Sequence, residues 1–166
     1  MEGESTALLE LQGVRKNYYQ GKVTVPALRG IDLEIARGEF TAIAGPSGSG
    51  KTTLLNLIGC LDTASDGVIR FDGRELSRLS KNQLADIRRK KLGFVFQSYN
   101  LIPVLTAYEN VEFCLALLHD NVADNRSRVM QVLADVGLEG LESRRPNDLS
   151  GGQQQRVAIA RALVKE

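Results

Sequence analysis

The sequence predicts an α/β fold in which β-strands come first and a group of helices is inserted late. Segments in the first hundred residues alternate apolar and polar side chains or form short apolar runs, as strands do. Later segments carry apolar residues at helical spacing, and polar capping pairs precede several of them. With 43% hydrophobic and 25% charged residues, the 166 positions are enough for one domain with a core.

Several segments are predicted as β-structure from alternation, short apolar runs or turn residues. The Asp72-Gly73 pair is typical of a hairpin turn, so the segment around it is predicted as two short strands. The predicted segments are ALLELQGV at 7–14, LRGIDLEIARG at 28–38, EFTAIAG at 39–45 as a buried strand, GVIRFDGREL at 67–76 as the hairpin, and KLGFVF at 91–96 as a second buried strand leading to Gln97.

Helical spacing begins at Gly50. The pairs Ser80–Gln83 and Thr106–Glu109 have the spacing of capping boxes and are predicted to begin the next two helices. A further helix is predicted to end at Gly137, because glycine commonly follows the last helical residue. The apolar face predicted for the helix after Gly50 consists of Leu54, Leu55, Leu57, Ile58 and Leu61.

Composition and charge argue against several classes of protein. The formal net charge of +1, from 21 basic and 20 acidic residues, argues against a general nucleic-acid surface, and no nucleic-acid partner is expected. No apolar run approaches the ~18 residues that span a bilayer, and the acidic start MEGESTALLE is unlike a signal peptide. Cys60 and Cys114 are far apart in sequence, so we expect two buried, reduced thiols.

The segment Gly45–Thr52, GPSGSGKT, matches the phosphate-loop pattern G-x-x-x-x-G-K-[ST] at every position. Glycines allow the backbone to present successive N–H groups to phosphate oxygens, and the following helix points its positive end the same way. Lys51 would reach the β- and γ-phosphates, Thr52 would give its hydroxyl to Mg²⁺, and Thr53 would contact the α-phosphate. A flexible Gly/Ser linker is disfavoured, because a strand pattern precedes the loop and a helix pattern follows it.

A second glycine-rich segment, LSGGQ at 149–153, precedes the last helix. On its own it would be a Ser-capped helix start with two glycines. Together with the phosphate loop it resembles the ATP-binding cassette (ABC) ATPases, whose signature sequence is LSGGQ. The resemblance implies a P-loop NTPase core with an N-terminal antiparallel β portion and an inserted helical subdomain. It also implies ATP and Mg²⁺ as cofactors, and a head-to-tail dimer with a second ABC ATPase subunit. In that dimer the signature residues would act in trans on the partner's ATP; they are Ser150, Gly151, Gly152 and Gln153.

Two further positions match the family. Gln97, after GFVF, resembles the Q-loop glutamine, which would touch Mg²⁺ or the attacking water; the alternative is a surface loop residue. Tyr18, in VRKNYYQG, resembles the aromatic residue that stacks on adenine, and the alternative is an ordinary tyrosine at a strand edge. By this resemblance Lys51 and Gln97 are catalytic, and Thr52 and Gln97 face the metal. The residues assigned to ATP in cis are Tyr18, Gly45, Pro46, Ser47, Gly48, Ser49, Gly50, Lys51, Thr52 and Thr53.

Longer stretches such as IRRKKLGFVFQSYNLIPVLTAYENVE resemble the branch that powers lipoprotein release and macrolide export. This implies transmembrane permease subunits as partners and a cytoplasmic location, peripheral on the inner face of the cell membrane. The expected division is a nucleotide-binding core at 1–97 and 146–166, and a helical subdomain at 98–145 that contacts the permease through YNLIPVLTAYENV. The alternative is a soluble ABC ATPase acting on ribosomes or DNA. A P-loop kinase or GTPase is disfavoured by LSGGQ and by the lack of an N/T-K-x-D pattern in the sequence.

The family pattern continues past the signature helix with a strand ending in Asp, an activating Glu and a later His. None of these follows Glu166, and the single histidine, His119, precedes the signature and is expected to face solvent on a helix. The last helix, QQQRVAIARALVKE, also reaches the final residue without a Gly or Pro stop signal. We therefore expect a fragment, with the C-terminal part of the core missing, that carries the ATP-contact motifs but hydrolyses ATP poorly and aggregates.

Overall fold

A four-stranded antiparallel sheet forms the first of two compact units, residues 1–87 and 88–166, in a computed structural model that describes residues 7–118 and 125–165. The strand order is β2-β1-β3-β4. A long hairpin of β1 (Ala7–Gln20) and β2 (Val23–Ala36) supplies two of the four strands, and β3 (Asp66–Phe71) pairs with the other edge of β1. The predicted N-terminal antiparallel β portion is confirmed.

The predicted hairpin at 67–76 is present, with β3 joined to the short β4 (Arg74–Glu75). Asp72 and Gly73 both have positive φ, 51° and 72°. Two consecutive residues of this kind make the tight turn whose twist suits an antiparallel pair, which is why Asp-Gly is favoured there. The sequence therefore predicted both the turn and its two flanking strands.

Two helices follow the phosphate loop and the hairpin. The helix α1 (Lys51–Ile58) buries Leu54 and Leu57, whereas Leu55 and Leu61 are exposed, so its buried face is narrower than predicted. Leu61 lies beyond the helix end, where Cys60 takes a positive φ of 56° and turns the chain away. The helix α2 (Lys81–Lys91) begins with the predicted capping box: Ser80 and Gln83 exchange backbone and side-chain hydrogen bonds of 2.8 and 3.3 Å.

Three helices build the second unit around a common apolar core: α3 (Ala107–Ala116), α4 (Asn125–Asp135) and α5 (Gly151–Leu163). The predicted Thr106–Glu109 capping box begins α3. Gly137, with φ of 70°, follows the end of α4 as predicted. His119 lies outside the described residues. The buried residues of this core are Ala107, Val111, Leu115, Val129, Leu133, Leu138, Leu149, Val157, Ala160 and Val164.

Two strand predictions are wrong. Residues 39–45 and 91–96 pair with no other segment among the described residues, and neither is buried: Phe40 is 96% exposed, and Phe94 and Phe96 instead stack on each other with ring centroids 5.7 Å apart. An apolar run favours burial, but a strand also needs a neighbouring backbone to accept and donate its hydrogen bonds. Gln97 consequently lies in an exposed turn and not at a strand end.

Neither described range, 7–118 or 125–165, contains a helix that is both long and apolar enough to cross a membrane. Both cysteines are free thiols. Cys60 is buried as predicted, while Cys114 is only partly buried, and burial raises the pKa of its thiol above the usual value.

Candidate nucleotide-binding site

The phosphate loop holds its own lysine against its first residues. The ammonium of Lys51 donates hydrogen bonds of 2.8 Å to the carbonyl oxygens of Gly45 and Pro46. Within the loop Gly48 and Gly50 adopt φ of 79° and 91°, conformations that other residues rarely enter. The sequence thus places a positive charge directly over a strongly curved, glycine-rich backbone.

The helix behind this loop begins without a capping side chain. Gly50 is the N-cap of α1, and no side chain in the described part of the chain accepts a hydrogen bond from the helix's first turn. A first helical turn leaves backbone N–H groups without helical partners, and they carry the positive end of the helix dipole. The N-terminus of α1 therefore offers free donors and positive potential beside the Lys51 ammonium, a combination suited to an anion.

Close packing explains why the loop needs glycine at position 50. A Cβ on Gly50 would lie 2.6 Å from the carbonyl oxygen of Ala27 and 2.9 Å from a methyl carbon of Leu28. A Cβ on Gly45 would lie 2.8 Å from the hydroxyl of Ser49. The end of the loop is therefore pressed against β2 at Gly50, whereas a Cβ on Gly45 would meet only the hydroxyl end of the Ser49 side chain.

Tyr18 lies near this end of the loop. Leu28, which abuts Gly50, pairs with Lys16 across the β1–β2 ladder, and the Lys16 ammonium lies 5.0 Å from the centroid of the Tyr18 ring. The Tyr18 hydroxyl donates a 3.0 Å hydrogen bond to Asp62, while the residue stays 39% exposed. The structure thus brings the predicted base-contact residue and the predicted phosphate loop together in the first unit.

Asp62 is the centre of a charged network that sequence reasoning missed. It accepts hydrogen bonds from the Lys16 ammonium at 2.6 Å and from the backbone N–H of Thr63 at 2.7 Å, besides that of Tyr18. Partial burial by itself raises the pKa of Asp62, but the hydrogen bonds from Lys16, Thr63 and Tyr18 outweigh it and lower the pKa below the usual value. No local signal could have revealed a network between residues 44 to 46 positions apart.

The signature segment forms the start of α5 in the second unit. Ser150 is the N-cap, and its hydroxyl oxygen accepts from the N–H of Gln153 at 3.3 Å. The amide oxygen of Gln153 accepts from the N–H of Ser150 at 2.8 Å, which completes a capping box. A serine hydroxyl that accepts one bond can still donate its own proton, so Ser150 and the N–H groups of Gly151 and Gly152 remain able to contact an anion.

The turn that carries Gln97 is fastened to the same helix. Tyr99 and Asn100 both adopt left-handed conformations, with φ of 59° and 47°, which is unfavourable for residues other than glycine. The two terminal nitrogens of Arg161, on α5, each donate a 2.7 Å hydrogen bond to one of their carbonyl oxygens. The strained turn and the signature helix are therefore joined, although Gln97 itself is exposed.

A buried asparagine, which sequence reasoning also missed, shapes the loop after this turn. Asn110 is 1% exposed, and its amide oxygen accepts a 2.8 Å hydrogen bond from the N–H of Ile102. Its amide group also donates to the carbonyl oxygens of Ile102, Leu105 and Thr106. Val104, at the tip of the loop so fixed, is 72% exposed. The predicted permease-contact segment is thus a held loop that presents an apolar side chain to solvent.

Each predicted motif is described within its own unit. The phosphate loop and Tyr18 belong to the first, and Gln97 and the signature belong to the second. Within 7–118 and 125–165 no three His, Cys, Asp or Glu side chains are grouped so that they could hold a metal ion. The contacts predicted for ATP and Mg²⁺ remain predictions.

Comparison with known proteins gives consistent matches. Residues 28–166 match the family model described as ABC transporter. The chain is 52% identical over 157 residues to the macrolide export ATP-binding/permease protein MacB of Marinobacter nauticus, covering 95% of this chain and 24% of that protein. It is 50% identical over 159 residues to an uncharacterized ABC transporter ATP-binding protein of Thermotoga maritima, covering 96% and 68%.

A solved structure matches as well. The dimeric, post-hydrolysis structure of the ATP-binding cassette MJ0796, bound to ADP and Pi, superposes with a TM-score of 0.88 at 46% sequence identity. The match covers 95% of this chain and 69% of that one. The chain spans about a quarter of the length of the MacB protein that it matches.

Proposed function

The chain belongs to the ABC transporter family, and from that membership we propose that it binds ATP with Mg²⁺ and couples ATP binding and hydrolysis, in a head-to-tail dimer, to a membrane permease. We propose further that the permease is of the export or lipoprotein-release type. The observation that carries the proposal is the N-terminus of α1, which has no capping side chain among the described residues and has the Lys51 ammonium beside it.

The residues present fit a nucleoside triphosphate. Gly45, Gly48 and Gly50 carry no side chains, so backbone N–H groups can approach phosphate oxygens closely there. Lys51 would exchange the carbonyl oxygens of Gly45 and Pro46 for the β- and γ-phosphates, which accept a charged donor more strongly. Thr53 would contact the α-phosphate, and Tyr18 would contact the base.

The fit to Mg²⁺ is through few protein ligands. Thr52, exposed in the first turn of α1, would give its hydroxyl. Mg²⁺ commonly takes most of its ligands from phosphates and water, so a site without grouped carboxylates is suitable for a nucleotide-bound ion. The ion would neutralise charge that develops on the phosphates. We assign no general base among residues 7–118 and 125–165.

The second proposed contact is made in trans. The N-terminus of α5 would meet the γ-phosphate held by a partner subunit, with Ser150 donating its hydroxyl proton and Gly151 and Gly152 their N–H groups. The capping box keeps Ser150 oriented, because the backbone N–H of Gln153 donates to the Ser150 hydroxyl oxygen and the Gln153 side-chain oxygen accepts from the N–H of Ser150. The dimeric state of the MJ0796 cassette supports a dimer as the working form.

The third proposed contact is with the permease. We place it in the predicted helical subdomain at 98–145, with the core at 1–97 and 146–166. The exposed Val104, on the loop fixed by Asn110, is the apolar group best placed to dock. Since Arg161 ties the Gln97 turn to α5, movement at that turn would be transmitted to the signature helix. The protein would then lie in the cytoplasm against the inner face of the cell membrane.

Replacement of Lys51 tests nucleotide binding. A charge-assisted hydrogen-bond donor contributes roughly 1.5–3 kcal/mol, so Lys51→Ala is expected to weaken ATP binding by roughly 10- to 150-fold. The measurement is the Kd of a fluorescent ATP analogue in the presence of Mg²⁺. Lys22→Ala, at an exposed turn lysine, is the matched control and should leave the Kd unchanged. Equal Kd values for Lys51→Ala and the unmodified protein would rule out this assignment.

Co-purification tests the transporter assignment separately. The protein, isolated from its own cells with mild detergent, is expected to carry a membrane permease with it, and Val104→Asp is expected to reduce the amount recovered. Recovery with ribosomes or DNA in place of a permease would overturn the transporter assignment in favour of a soluble ABC ATPase.

A further inference from the structure

We propose that Asp62 and Lys16 are positioning residues for Tyr18: they fix its ring by the hydroxyl and cover one ring face, so that the other face is presented to the nucleobase. The proposal rests on the proposed binding of ATP. Asp62 and Lys16 themselves need not touch the nucleotide. Their effect would be on recognition of the base and not on the grip on the phosphates.

The carboxylate of Asp62 is used on both of its oxygens. One oxygen accepts from the Lys16 ammonium at 2.6 Å and from the N–H of Thr63 at 2.7 Å, and the other accepts from the Tyr18 hydroxyl at 3.0 Å. Lys16 also donates to the carbonyl oxygen of Thr63 at 2.8 Å. Lys16 and the N–H of Thr63 therefore hold Asp62 in place. The hydrogen bond from the Tyr18 hydroxyl to this fixed carboxylate in turn fixes the Tyr18 ring.

The Lys16 ammonium limits how a base can approach. It lies 5.0 Å from the Tyr18 ring centroid, within the range of a cation–π contact, and its side chain is only 11% exposed. A second flat group cannot stack on the ring face that the ammonium occupies. Because Asp62 neutralises Lys16, the pair adds no net charge beside the base, and the 39% exposure of Tyr18 leaves ring surface for stacking.

The same elements connect the base contact to the phosphate contact. Asp62 follows the end of α1, and the N-terminus of that helix forms the end of the phosphate loop. Gly50 abuts Leu28, which pairs with Lys16 on the neighbouring strand. The ring and the loop are thus held by one helix and one strand pair, so that both ends of a nucleotide would meet a preformed surface.

Tyr19 provides an internal control. It is the next residue on β1, it is 72% exposed, and its hydroxyl, unlike that of Tyr18, has no hydrogen-bond partner within the described part of the molecule. If an aromatic residue anywhere on this strand were sufficient, Tyr19 and Tyr18 would contribute alike. The proposal requires the anchored ring, Tyr18, and predicts no contribution from the unanchored one.

The test compares the Kd of ATP with the Kd of inorganic tripolyphosphate, which has no base, both with Mg²⁺. Tyr18→Phe and Asp62→Ala are each expected to weaken ATP binding by about three- to tenfold and leave tripolyphosphate binding unchanged. The double variant should lose no more than the single ones, because both substitutions break the same bond. Asp62→Asn, which has one acceptor oxygen in place of two and no charge to neutralise Lys16, should also weaken ATP binding, whereas Tyr19→Phe should change neither Kd.

Each other outcome overturns the inference in a distinguishable way. If Tyr18→Ala selectively weakens ATP while Tyr18→Phe and Asp62→Ala do not, the ring contacts the base without needing its anchor. If Tyr18→Ala changes neither Kd, there is no base contact, although the phosphate loop still binds. If the unmodified protein binds neither ligand, the proposed function itself fails. Should Asp62→Ala fail to fold, Tyr18→Phe alone decides, since it leaves the Lys16–Asp62 pair intact.

Discussion

Two helices of this chain begin in glycine-rich segments, and they differ in whether side chains cap the N-terminus. The N-terminus of α1 has a left-handed glycine, Gly50, as its N-cap and no side-chain cap among residues 7–118 and 125–165. The N-terminus of α5 has Ser150 and Gln153 in a reciprocal capping box. Since a cap occupies donors that an anion would use, the N-terminus of α1 leaves more donors available than the N-terminus of α5, which has its own side-chain partners.

The difference also concerns what each start leaves for a phosphate. The first offers several backbone donors and a charged side chain, Lys51, which donates to the carbonyl oxygens of its own loop. The second keeps its shape and offers one hydroxyl proton and the N–H groups of two glycines. A strong site built by the loop and a weaker, preformed site on a partner would suit a dimer that closes only when ATP is bound.

The largest effect is expected from a substitution at the N-terminus of α1. In Gly50→Ala the added methyl would lie 2.6 Å from the carbonyl oxygen of Ala27, at a φ of 91° that alanine rarely adopts. We expect a loss of about 3 kcal/mol or more in the free energy of unfolding, together with loss of ATP binding. Urea unfolding followed by circular dichroism measures the first, and titration with a fluorescent ATP analogue the second.

Gly48→Ala separates the cost of an unfavourable backbone conformation from the cost of a steric clash. Its φ of 79° is equally unusual, but a Cβ there would meet no described atom within 4 Å. Only the conformational cost of about 1–2 kcal/mol should remain. If the two variants lost the same stability, close packing of Gly50 against β2 would not be what fixes the loop.

How well the sequence predicts each structural feature depends on how close together in the chain the residues that form it lie. The capping boxes at Ser80 and Thr106 and the Asp72-Gly73 turn are set by residues within four positions, and all were predicted correctly. The strands predicted at 39–45 and 91–96 were wrong, because pairing depends on a backbone elsewhere in the chain.

The candidate site divides along the same line. The phosphate-loop pattern placed Lys51 beside the helix start without knowledge of the fold, whereas the Asp62 network required residues 44 to 46 positions apart to meet. The approach of Gly50 to Ala27 is non-local in the same way. Sequence pattern therefore predicted which residues contact phosphate, and only the structure showed which neighbouring residues pack against them.

A smaller effect is expected when the capping residues of α5 and α3 are compared, because only the N-terminus of α5 is proposed to contact a ligand. Ser150→Ala and Thr106→Ala each remove a capping hydroxyl, and each is expected to lower the free energy of unfolding by about 1 kcal/mol. We expect only Ser150→Ala to weaken the ATP-dependent dimer as well. Sedimentation velocity with and without ATP gives the dimer affinity, and equal losses in both variants would show that stability alone accounts for the change.

The smallest expected effect distinguishes the two capping boxes by pH. In α3 the box uses Glu109, and hydrogen bonds from the backbone N–H and the hydroxyl of Thr106 lower the pKa of that carboxyl below its usual value. In α5 the matching residue is the neutral Gln153. Because the folded pKa is lowered, ionised Glu109 contributes stability that is fully present above the unfolded value of about 4.3. That contribution is lost as the pH falls through the lowered folded value.

Glu109→Gln should therefore make the α3 box resemble the α5 box. The unmodified protein is expected to be the more stable at pH 7, and its advantage over Glu109→Gln should shrink as the pH is lowered from 7 to 3. Urea unfolding of both proteins at each pH measures the difference. Gln153→Glu is the converse variant and should introduce the same pH dependence at α5. A stability difference that stays constant across this range would show that the charge of Glu109 contributes nothing to its cap, and that the two boxes stabilise their helices by hydrogen-bond geometry alone.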